Sequence, residues 1–61
     1  MTDADILAVY TRHETEARAE HHGMLLPEDV LSCISETARV LGLTVEQVKD
    51  VVRRDAAGML G

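Results

Sequence analysis

Sixty-one residues with a mass of 6.7 kDa hold one small domain and leave no room for a second core. Hydrophobic residues make up 46% of the chain, yet Tyr10 is its only aromatic, and the net charge of −5 favours basic partners over phosphate-rich or anionic-membrane surfaces. A single cysteine, Cys33, excludes an internal disulfide and with it a cystine-stapled secreted scaffold; a buried apolar position suits it best.

Apolar residues recur at three and four rather than alternating, which predicts helices and no strand. The first helix is expected over residues 3–22. Thr2 precedes it, with Asp5 three residues on as a capping-box acid. Ile6, Tyr10, His13, Ala17 and Met24 fall on or near one stripe, beside Leu7 and Val9. From Thr11 to His22 the helix turns polar, with Arg12/Glu16 and Glu14/Arg18 spaced for i,i+4 ion pairs, and Gly23 is the expected stop.

A second helix is predicted over 27–41. Pro27 suits the first helical position, and Glu28 and Asp29 place negative charge where the helix dipole welcomes it. Its apolar face reads Val30, Leu31, Ile34, Ala38 and Leu41, flanked by Cys33 and Val40, and Gly42 ends it. The third helix, over 45–57, carries the clearest start signal. Thr44 and Gln47 form a capping box, with Leu43 and Val48 as a hydrophobic staple across it. Its four valines in eight residues are weak helix formers, so tertiary packing must hold it. Gly58 is expected to fray its end. The fold class is therefore all-α, one compact three-helix domain over residues 1–61.

From Ile34 to Arg53 the chain resembles the helix-turn-helix corner of DNA-binding proteins. Ala38 stands at the small-residue position and Gly42 at the turn glycine, with Leu41, Leu43, Val48 and Val51 as the surrounding aliphatics. The resemblance covers about a third of the chain and implies a crossing of the second and third helices. It would turn Thr44, Gln47, Lys49, Arg53 and Arg54 toward a duplex, making a transcriptional regulator the alternative function. Glu46 and Asp50 put negative charge on the same face.

The first helix also gathers His13, Glu16 and Glu20 at i, i+3 and i+7, a spacing that could offer an imidazole and two carboxylates to a metal completed by another chain. The blander expectation is a solvated face, with His13 a boundary residue hydrogen-bonded through one ring nitrogen and His21 and His22 complementing the helix dipole. No catalytic triad spacing or phosphate-binding glycine loop is present, so neither an enzyme nor a cofactor is expected.

A chain of this size buries about 5,800 Å² on folding. With some three-fifths of that apolar, burial contributes on the order of 85–90 kcal/mol at ~25 cal/mol per Å². Ordering every residue costs about the same at ~1.5 kcal/mol each. The near-zero balance, together with apolar residues outside the main stripes (Leu25, Leu26, Val40, Val45, Val52, Met59 and Leu60), predicts a protein-interaction module. It would act as a homo-oligomer or as an accessory subunit of a larger protein. The acidic start and the lack of a long apolar run predict a cytoplasmic location and no membrane span.

Overall fold

The computed structural model describes the backbone of residues 1–60 and the side chains of residues 1–58. The side chains of Met59 and Leu60, counted above among the surplus apolar groups, lie outside the described residues. Three helices follow one another, α1 (Asp3–Glu20), α2 (Pro27–Leu41) and α3 (Val45–Leu60), each packing on the other two. No strand occurs among the described residues, and the all-α, three-helix reading holds.

The start of α1 is a complete capping box. The Asp5 N–H donates to Thr2 Oγ1 at 3.3 Å, and the Thr2 N–H donates to Asp5 Oδ2 at 3.0 Å. The hydrogen bonds from Thr2 hold the Asp5 carboxyl below the usual carboxylate range. The helix ends two residues earlier than the sequence suggests. His21 caps it through an N–H bond to the Arg18 carbonyl, while His22 (φ 56°) and Gly23 (φ 88°) both turn left-handed. The Gly23 N–H reaches the same Arg18 carbonyl at 2.6 Å, so a glycine-type stop occurs with a histidine sharing the reversal. Met24, placed by its spacing near the α1 stripe, lies past the turn and is exposed.

Helix α2 has the expected bounds. Leu26 precedes it with no polar side chain to offer, so the cap is one-sided: the Leu26 N–H donates to Asp29 Oδ2 at 3.0 Å. At the other end Gly42 sits at φ 70°, and the Leu43 N–H donates to the Ala38 carbonyl at 2.9 Å. Only a residue tolerant of positive φ closes a helix in this way. Helix α3 opens on the predicted capping box. Gln47 N–H donates to Thr44 Oγ1 at 3.1 Å, and Gln47 Oε1 accepts the Thr44 N–H at 2.9 Å. Its backbone runs through Gly58 to Leu60, longer than expected; one glycine with no packing demand on it costs a helix only ~1 kcal/mol.

The core joins Ile6 and Tyr10 of α1, Cys33, Ile34 and Ala38 of α2, and Val48 and Val51 of α3, with Leu7, Ala17, Val30, Leu41, Leu43 and Val52 packed around it. Val48 and Thr37 are fully enclosed at 0% exposure. Thr37 is a surprise, a polar residue at the centre of the apolar face of α2. Its Oγ1 has no hydrogen-bond partner among the described residues. Leu31 departs in the other direction. It was assigned to the core face but is exposed, because it lies at the edge of the stripe defined by Ile34, Thr37 and Ala38.

Candidate functional site

Two regions singled out by the sequence can be built from these elements. At the α2–α3 corner, Ala38 is buried and lets the helices approach, while Gly42 supplies the left-handed turn. The packing part of the helix-turn-helix resemblance is thus present. The groups meant for a duplex are mostly engaged elsewhere. Thr44 and Gln47 are occupied with each other in the cap. Arg54 pairs with Asp3 of α1 at 3.5 Å and with Asp50 one turn earlier at 3.2 Å. Lys49, which is half-buried, and exposed Arg53 are the cations of this face with no ion pair among the described residues, and they share it with Glu46 and Asp50.

The second region is a groove of about 290 Å³ between α1 and α2. From α1 it takes His13, Glu16, Ala17 and Glu20, so the three side chains grouped by their spacing do share one surface. From α2 it takes Asp29, Ser32, Cys33 and Glu36. The contribution of α2 was hidden in the sequence, since nothing local indicates which face of α2 meets which turn of α1. The antiparallel pairing brings four carboxylates around one depression.

Their surroundings differ. Asp29 Oδ1 lies 3.4 Å from His21 Nε2, tying the end of α1 to the start of α2. Glu36 is paired with Arg39, whose hydrogen bond and charge hold the Glu36 carboxyl below the ordinary value. Glu16 and Glu20 are exposed and in no ion pair among the described residues. The expected Arg12–Glu16 pair is not formed, whereas Glu14–Arg18 is, at 3.2 Å. His13 Nδ1 donates to the Val9 carbonyl at 2.9 Å, since a carbonyl can only accept. That bond requires a proton on Nδ1 and turns Nε2 away from the helix backbone as the free ring nitrogen among the described contacts.

Cys33 forms the floor at 4% exposure. Burial, assisted by the Glu14, Asp29 and Glu16 charges, pushes its thiol above its usual range, so it stays protonated and weakly reactive. Among the described residues no three His, Cys, Asp or Glu side chains converge as metal ligands do; His13, Glu16 and Glu20 line one groove without forming a chelating set.

The residues proposed as an interface divide. Val40 (53%) and Val45 (43%) are exposed on either side of the α2–α3 turn, while Leu25, Leu26 and Val52 are half-buried, Val52 against the core. No helix among the described residues is long and apolar enough to cross a membrane. Comparison with family models, with curated proteins and with solved structures returns no match.

Proposed function

We propose that this chain is a non-enzymatic, cytoplasmic protein-interaction module, acting as a homo-oligomer or as an accessory subunit of a larger protein. The observation that carries the reading is the exposure of Val40 and Val45 beside the α2–α3 turn, with Met24 and Leu31 uncovered elsewhere, on a chain whose own core is small. Burying a valine contributes about 1.5–3 kcal/mol, so covering this pair offers a large fraction of the stability a domain of this size carries. The open carboxylate groove between α1 and α2 is consistent with a binding surface.

Duplex binding has weaker support. It would have to rest on Lys49 and Arg53 against Glu46 and Asp50, on a chain of net charge −5. Sedimentation of the full chain across a dilution series tests the proposal. The expected result is a mass above 6.7 kDa that falls on dilution, and that is lower for the Val40→Asp/Val45→Asp variant at equal concentration. A cooperatively folded monomer at every concentration, with stability unaffected by those two substitutions, overturns the homo-oligomer form and leaves the accessory-subunit form to the peptide-binding test below.

A further inference from the structure

We infer that the α1–α2 groove is the docking site for a cationic, amphipathic helix of a protein partner. The inference rests on the interaction reading above and gives it a location and a chemistry. Among the described residues the groove draws none from α3 and lies open between α1 and α2. Its floor is Ala17 and the Cys33 thiol, which is 4% exposed and makes no hydrogen bond among the described residues. Around it stand Glu16, Glu20, Asp29 and Glu36 together with His13 and Ser32, Asp29 already facing His21 and Glu36 facing Arg39. A soft, nearly apolar floor inside a ring of carboxylates matches a lysine or arginine side chain, whose methylene stem lies on apolar surface while its charged head stays at the rim.

The sign of the rim decides among occupants. Nucleic acid is repelled. A neutral apolar helix would cover carboxylates without compensating their charge. A second copy brings its own net −5 against this one. Glu16 and Glu20, in no ion pair among the described residues, are the groups with the most to gain from an incoming cation.

Beyond the residues that line the groove, helical spacing places two valines in line with it. Val40 follows Glu36 by four residues, on the same side of α2, and Val9 precedes His13 by four on the same side of α1. Val40 is exposed and Val9 half-buried. The matching partner therefore carries apolar groups one or two turns from its cations along one helical face, the i, i+4, i+7 pattern of helix-in-groove recognition.

The test is fluorescence anisotropy of a labelled, capped 18-residue peptide, alanine-based, with lysine and leucine on one helical face. It is titrated with the full chain at low and moderate salt, beside a counterpart with glutamate in place of lysine. Glu16→Gln/Glu20→Gln and Glu46→Gln/Asp55→Gln remove the same charge from exposed sites inside and outside the groove. Far-UV circular dichroism checks that each variant folds. The expected result is binding of the lysine peptide alone, weakened about tenfold by the groove variant and less than about twofold by the control, and weakened also by Val40→Ser. Equal weakening in both double variants, binding of the glutamate peptide, or no binding at low salt overturns the groove as the site. Sedimentation of the unliganded chain in the same buffers separates the two failures. Self-association without peptide binding removes the groove proposal and leaves the interaction reading, whereas a monomer that binds no peptide removes both.

Discussion

Replacing Thr37 by valine is expected to stabilise the protein. The residue is at 0% exposure in α2, packed among apolar side chains, and its Oγ1 has no hydrogen-bond partner among the described residues. Valine has the same shape, so the substitution exchanges a hydroxyl for a methyl without opening a cavity or overfilling the site. Helix propensities of the two residues are close, and the difference that remains is the desolvation penalty of an unsatisfied hydroxyl, about 1–3 kcal/mol. The lower end applies, because some of that penalty is recovered by local relaxation, giving a gain of about 1 kcal/mol. For 61 residues the unfolding entropy near 60 °C is about 0.13 kcal/mol/K, so the melting temperature should rise by about 8 °C. Thermal melts followed by circular dichroism, with urea titrations to confirm an unchanged slope, measure it. Thr37→Ser supplies the complementary arm: it keeps the hydroxyl, deletes a buried methyl, and should cost about 1 kcal/mol. A destabilised Thr37→Val protein would refute the reasoning, and would mean that the hydroxyl donates to a backbone carbonyl one turn earlier in α2.

Three further outcomes follow from the packing and the turns. Val48→Ala, at the other fully enclosed position, should lose about 2–3 kcal/mol from two deleted methyl groups and the cavity they leave, read by the same urea titrations. An added Cβ meets nothing within 4 Å at either Gly42 or Gly58, so backbone conformation alone separates them. Gly42→Ala, at φ 70°, should destabilise by about 1 kcal/mol, while Gly58→Ala within α3 should stabilise by a similar or smaller amount, both measured as shifts of the denaturation midpoint. Burial first, then the Glu14 charge, pushes the Tyr10 phenol up to about 12. The folded state therefore holds this proton more tightly than the unfolded state, which releases it near pH 10. Stability linked to Tyr10 is intact below pH 10 and is lost as pH rises toward 12. Absorbance at 295 nm, reporting the chain's one aromatic residue, should show ionisation coinciding with unfolding rather than preceding it.

Much of the fold could be read from punctuation. Pro27 and Gly42 bound α2, and Thr44 with Gln47 starts α3, because those signals are local and act through a single side chain or a single φ angle. The end of α1 was less legible. His22 carries no sequence mark of a left-handed conformation, and Gly23 alone suggested a stop two residues later than the one observed. Leu31, expected on the core face, is exposed, and Thr37, outside the predicted apolar face, is enclosed, since residue type predicts burial only until the neighbouring helices fix which part of the stripe is covered. The groove was half visible: the i, i+3, i+7 spacing placed His13, Glu16 and Glu20 together on α1, but Asp29, Ser32 and Glu36 joined them through an antiparallel register that no local pattern encodes.

Helix α1 is anchored unevenly. Ile6 and Tyr10 are buried in its first half, whereas its second half has only the half-buried His13, Glu14 and Ala17 and the His21–Asp29 contact at its end, and Thr15 Oγ1 donates to the Thr11 carbonyl at 2.9 Å, a back-bond that tends to bend a helix. The last turns of α1 can therefore breathe without unzipping the whole molecule, and their amides should exchange with deuterium sooner than those around Tyr10. Slower exchange on α2 than on the last turns of α1 would make the α2 bank of the cleft a fixed jaw and the α1 bank a compliant one. A visitor of variable girth can be accommodated by the yielding side, while its orientation is dictated by the stiff one.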